Sequence, residues 1–159
     1  MDKNDLADID DSSLSIESIN STHQIDSNSL GGSRKVSENA RDFLADLSPS
    51  FFSYTERLKG QPQDRMKRIT SFFSDLNKGL DPIIKHLRPG GIMVWVLGNR
   101  NVGGFQVPMD NILTELILSR NAKLICKLNR SISSKRMASK NNIAKTMSTE
   151  NILVLRKAS

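Results

Sequence analysis

The stretch His86–Gly104, HLRPGGIMVWVLGNRNVGG, decides the reading of the fold. Pro89-Gly90-Gly91 stops a helix, because proline lacks the N–H that continues the ladder and glycine accepts the left-handed turn beyond a helix end. The run from Ile92 to Leu97 has no polar member. Val94, Val96 and the bounding glycines favour a strand there. A strand without polar positions is expected to be covered on both faces, as in the centre of an α/β sheet. Gly98-Asn99-Arg100 follows as a polar tip just past the strand's carboxyl end, which is where a wound sheet places its ligands.

Upstream of this stretch, Met66, Ile69, Phe72, Phe73, Leu76 and Leu80 recur at three and four residues and predict one buried helix face from Gln63 onward. Asp81-Pro82 is expected to kink or restart that helix, with Asp81 as the cap of the new turn. A shorter helix is predicted from Ser37, with Ala40, Phe43, Leu44 and Leu47 on one face, ending before Pro49. Downstream, Ile112, Leu113, Leu116 and Ile117 make an apolar stripe that Asn121 terminates. KLICKLNRSI and NILVLRKA read as two further strands, separated by the polar, basic SSKRMASKNNIAKTMSTE. Helix, strand, helix, strand, loop, strand is the second half of a wound α/β sheet, ending in an antiparallel pair.

The remaining sequence narrows the function. The 159 residues suffice for one ordinary domain. Residues 1–32 carry seven acids against Lys3, a net of −6, so the total of +6 leaves +12 on residues 33–159. Such a basic body attracts polyanions without reading their sequence, although a merely solvated basic surface has the same composition. Residues 1–35, rich in Ser, Asp and Asn and poor in large apolar groups, are expected to form a flexible leader, and residues 36–159 the α/β domain. The lone Cys126 excludes an internal disulfide and a multi-cysteine metal site, and its apolar neighbours suggest a buried thiol. His23 and His86 stand 63 positions apart, and no His, Cys or carboxylate cluster has metal-ligand spacing. No apolar run approaches the roughly 20 residues that span a bilayer, and no signal peptide is present, so a cytoplasmic protein is expected.

Several strings then act together: Leu87 to Gly91 leading into the apolar strand, Leu97-Gly98-Asn99-Arg100, Val107-Pro108, Lys135-Arg136-Met137, and Thr146-Met147 to Glu150 before the last strand. In these the chain resembles the C-terminal portion of the S-adenosylmethionine-dependent DNA methyltransferases that modify exocyclic amino groups of adenine or cytosine. The resemblance covers about residues 66–157, and more weakly 33–65. It implies a partial Rossmann-like methyltransferase sheet in which IMVWVL is the fifth strand, KLICKLN the sixth and NILVLRK the seventh, the last inserted antiparallel beside the fifth. It further implies that Asn99 and Arg100 border the active-site cleft, and that Arg130, Lys135 and Arg136 flank a loop approaching the target base and nearby phosphates. A polar turn and a solvated basic loop are the plainer readings of the same residues. Trp95, within the apolar strand, reads as core rather than as a base-stacking platform.

Two signatures of that family are missing. No string matches the Phe-x-Gly-x-Gly cofactor loop, and GNRNVGG lacks the Lys-Ser/Thr of a phosphate loop. The catalytic Pro-Pro-aromatic motif is approached only by Ser48-Pro49-Ser50-Phe51, which lacks the second proline and reads as a helix stop. No catalytic, cofactor-binding or metal-ligating residue is therefore assigned. The chain is expected to bind no S-adenosylmethionine by itself, to act on DNA only with the missing half supplied by a second chain, and to leave the inner edge of its fifth-strand candidate unpaired. The alternative is a non-enzymatic nucleic-acid-binding or interaction remnant.

Overall fold

The computed structural model describes residues 29–32, 37, 39–132 and 149–158. In chain order its elements are α1 (Ala40–Leu47), α2 (Pro49–Arg57), α3 (Gln63–His86), β1 (Ile92–Leu97), β2 (Asn101–Val102), β3 (Phe105–Gln106), α4 (Met109–Leu118), β4 (Ala122–Ser131) and β5 (Thr149–Lys157). The chain is mixed α/β. Its main sheet has the order β1-β5-β4, with β5 antiparallel to both neighbours, so β1 and β4 run parallel to each other.

Alternation along β5 sets the layers. Asn151, Leu153 and Leu155 are buried, whereas Ile152 and Val154 are half-buried on the other face. Leu153 and Leu155 join Met93 of β1 and the stripe Ile112, Leu113, Leu116 and Ile117 of α4 in one core, with Phe73, Leu80 and Ile84 of α3 and Phe51 and Tyr54 of α2. Each such side chain contributes about 1.5–3 kcal/mol when removed from water, which suffices to hold helices that would be marginal in isolation.

Here the expectation of a strand covered on both faces fails. Ile92, Val94 and Val96 are 52, 60 and 57% exposed. The cross-strand register puts Val94, Val154 and Cys126 in one row and Val96, Ile152 and Leu128 in the next, so the open face of the sheet is apolar across all three strands. Cys126, expected in the core, is half-buried on that face. A run of apolar residues specifies only that both faces prefer cover; among the described residues, helices supply it on one face. β1 is also an edge strand, since β5 is its sole partner among the described residues.

Pro82 does not restart the helix either. α3 runs through it from Gln63 to His86, and Asp81, expected as a cap, pairs instead with Arg120 at 2.7 Å. The Arg120 guanidinium also donates to the Asn77 carbonyl at 2.8 Å and to its side-chain oxygen at 2.9 Å. One arginine at the end of α4 thus holds the turn in which proline removes a ladder bond. The helix end is fastened by β5: Lys157 Nζ donates to the carbonyls of Ile84 and Leu87, both at 2.8 Å, and the backbone of Lys157 pairs with Gly90 and Gly91. Asn121 does terminate the α4 segment, with φ of 55°. No helix among the described residues is long and apolar enough to cross a membrane.

Candidate functional site

The tip that follows β1 closes into a small hairpin. Asn101–Val102 pairs with Phe105–Gln106 around Gly103-Gly104, whose φ values of 63° and 84° both lie in the left-handed region. A two-residue turn with both central residues left-handed matches strand twist, which is why the glycine pair marks it. Val107 N–H donates to the Arg100 carbonyl at 2.7 Å and fixes the hairpin's base. The Tyr54 hydroxyl reaches the Val102 carbonyl at 3.3 Å, and the Arg57 guanidinium lies 4.7 Å from the centre of the Phe105 ring. Burial pushes the Tyr54 phenol up, with Arg57 acting the other way, so the hydroxyl stays a donor at neutral pH.

Asn99 and Arg100 turn to opposite sides of this hairpin. Asn99 lines a polar cavity of about 630 Å³ with Ser50, Tyr54, Arg57, Gln106 and Asp110. Its amide bonds the buried Asp110 carboxylate, which also pairs with Lys127 of β4. Burial pushes the Asp110 carboxyl up, but bonds from Lys127 and Asn99 outweigh it and hold the group below its ordinary range. Lys127 donates in addition to Asn111 at 3.0 Å. Asn99 therefore ties the end of β1 to the start of α4, and its own amide oxygen is buried without a hydrogen-bond partner among the described residues. Arg100 lines a second cleft, of about 670 Å³, with Arg65, Arg68, Ile69, Phe72 and Val107.

Ser48-Pro49-Ser50-Phe51 is a helix restart. The Ser48 side chain accepts from the Phe51 N–H at 3.0 Å, and Pro49 occupies the first turn of α2. Both serines are clamped by Glu115 of α4: its carboxylate accepts from the Ser48 hydroxyl, from Ser50 N–H at 3.1 Å and from the Ser50 hydroxyl at 2.6 Å. These hydroxyls are structural, although Pro49 and Ser50 wall the same cavity as Asn99.

The remaining sequence-predicted residues divide. Arg130 pairs with Glu150 across β4 and β5, one step beyond the row Leu97, Asn151, Asn129. It thus lies at the same end of the sheet as the tip, two strand spacings or roughly 10 Å across. Lys135 and Arg136 lie outside the described residues. Arg57, Arg65 and Arg68 were not singled out by sequence reasoning; their signal, arginines on the two helices that flank the hairpin, acquires meaning only once the hairpin is placed beside them. Among the described residues no group of three His, Cys, Asp or Glu side chains could hold a metal ion.

No family model matches the chain. It is 30% identical over 151 residues to the type II methyltransferase M.MvaI of Kocuria varians, a match that covers 90% of this chain and 33% of that protein. Among solved structures it is similar to a protein of Thermus thermophilus with the provisional name DNA modification methylase, at 18% identity and a TM-score of 0.42, over 76% of this chain and 50% of that one. The sequence match carries the weight: the chain is similar to part of a type II methyltransferase, of which it spans about one third.

Proposed function

We propose that this chain forms one wall of the active-site cleft of a DNA methyltransferase that transfers a methyl group from S-adenosylmethionine to an amino group of adenine or cytosine. In this reading residues 36–159 belong to a Rossmann-like domain preceded by a leader over residues 1–35, and β1, β5 and β4 are its fifth, seventh and sixth strands. The observation that carries the reading is the strand order. β5 is inserted antiparallel between β1 and β4, and the ends of β1 and β4 that bear Asn99, Arg100 and Arg130 lie together. A wound sheet takes its ligands at such strand ends.

The work is divided between these residues and others. S-adenosylmethionine supplies the methyl group when bound, and no string in the 159 residues matches the Phe-x-Gly-x-Gly loop that would hold its methionine part. No Pro-Pro-aromatic string holds a target amine either. Cofactor and reacting groups are held by residues outside this stretch, in the same polypeptide or in a second chain. What the chain supplies is a rigid tip. The Asn99–Asp110–Lys127 network fixes the end of β1, and Arg100 and Arg130, with Lys135 and Arg136, present cations to DNA phosphates and base edges. Among the described residues one face of the sheet is apolar and open and β1 has a partner on one edge only, which favours this reading over an isolated binding remnant, because both call for a neighbouring part of a larger domain.

The test is a calorimetric titration with S-adenosylmethionine of the 159-residue chain alone and mixed with a polypeptide bearing the two missing motifs. The reading predicts no measurable heat of binding alone and saturable binding of the mixture. Micromolar affinity of the chain alone contradicts it.

A further inference from the structure

The cleft on the α3 side of the hairpin combines two kinds of wall. Arg65 and Arg68, three residues apart on the first turns of α3, face Arg100 of the tip across a floor formed by Ile69, Phe72 and Val107. One carboxylate is present, Asp64, and it pairs with Arg68 at 2.8 Å. Arg65 bonds only the neutral side-chain oxygen of Gln61, and the Arg100 guanidinium has no partner among the described residues. Three guanidinium groups against one carboxylate leave the cleft two positive charges in excess.

The cleft's volume of about 670 Å³ is that of a small-molecule site, which typically spans about 300–1,000 Å³. A bare inorganic anion would satisfy the arginines and leave the apolar floor wet. An uncharged aromatic would cover the floor and leave the arginines without a counter-ion. A ligand that satisfies both carries a multiply charged anion on a flat body with an apolar face. Guanidinium forks match phosphate oxygens, and the flat face of a nucleobase is the complement of the Phe72 and Ile69 wall.

From this we infer that the cleft binds a nucleoside phosphate, with the phosphate held by Arg65, Arg68 and Arg100 and the base against the apolar floor. The inference deepens the nucleic-acid reading above, because a DNA strand running past the tip is one source of that chemistry; a free mononucleotide is the other. It assigns contacts to α3 that neither the tip nor the basic loop provides.

The experiment measures binding of a fluorescently labelled single-stranded oligonucleotide to the intact chain by anisotropy over a series of salt concentrations, with unlabelled cytidine and adenosine monophosphates as competitors. The variants are Arg65→Gln with Arg68→Gln, Arg100→Gln, and a control that removes equal charge further along α3, Lys78→Gln with Lys85→Gln. The control begins 13 residues beyond Arg65, roughly 20 Å along a helix. The arginine pair is expected to weaken binding at least tenfold and to flatten the dependence of log K on log salt by about 0.7, the slope of one single-strand phosphate contact. The control is expected to change affinity less than threefold. Competition by a monophosphate assigns the site to a single nucleotide, and its absence assigns it to a strand. Equal effects of the arginine pair and the control, in variants with unchanged thermal melts, overturn the site, as does failure of both probes to bind. Methyl transfer is not the readout, so loss of the enzyme reading and loss of this site are separable.

Discussion

Glu115→Ala tests whether Ser48-Pro49-Ser50-Phe51 is architecture. The carboxylate accepts from two hydroxyls and one backbone amide, and Ser48 is fully buried. Hydrogen bonds to a charged partner contribute about 1.5–3 kcal/mol each, and a buried donor left without an acceptor costs about 1–3 kcal/mol. The three bonds share one carboxylate and are not additive, and Ser50 borders a cavity that admits water, so the sum is discounted to about 2–4 kcal/mol. For a domain of this size that corresponds to about 6–12 °C in Tm. The assay is urea unfolding followed by circular dichroism, with Glu115→Gln as a companion that keeps one acceptor and recovers part of the loss. The substitution also unfastens α2 from α4, so the cavity containing Asn99 should lose definition, read as faster amide hydrogen exchange at Ser50 and Phe51. A loss below about 0.5 kcal/mol, the range of an ordinary surface substitution, would refute the clamp and reopen the string to a role at the cavity.

Further tests address the network at the tip and the two faces of the sheet. Asp110 lies below its ordinary range in the folded chain, so its contribution is present above the ordinary carboxylate value of about 4 and is lost as pH falls from there through the lowered value of the folded chain. Lys127→Ala removes the ammonium and leaves the burial, which moves the acid limb of the stability profile to higher pH; superimposable profiles of Tm against pH would reject the pairing. On the sheet, Leu153→Ala on the helix-covered face should cost about 2–5 kcal/mol, whereas Val94→Lys on the open face should cost under about 1 kcal/mol. Sedimentation velocity should show less self-association for Val94→Lys, because the charge blunts an exposed apolar edge strand.

Legibility in the sequence follows the range of the interactions concerned. Ile92–Leu97, the Asn121 stop and the α4 stripe depend on local pattern and are readable from it. The expected helix break at Pro82 is absent because what holds α3 together there is Arg120, 38 positions downstream. The restart at Ser48-Pro49 carries a local signal, a serine cap before proline, but α2 was not drawn from it. The hairpin at Gly103-Gly104 has the same kind of overlooked signal, a glycine pair between Val102 and Phe105. Cover on the sheet's second face is not legible at all, since an apolar side chain states a preference for burial without naming what buries it. At the site, Asn99 and Arg100 are placed at the strand end by the sequence, but their division between two cavities depends on the hairpin. The arginines of α3 become visible as a cluster only through packing.

The central claim is that these residues are one wall of a DNA-methylating site completed by others. Its most direct test is nucleoside mass spectrometry of plasmid DNA from cells producing the chain together with a polypeptide that carries a Phe-x-Gly-x-Gly loop and a Pro-Pro-aromatic motif. N6-methyladenine or N4-methylcytosine is expected only when both are present, with the signal reduced at least tenfold by Arg100→Gln. Methylated base with the chain omitted, or none with both parts folded and associated, would contradict it.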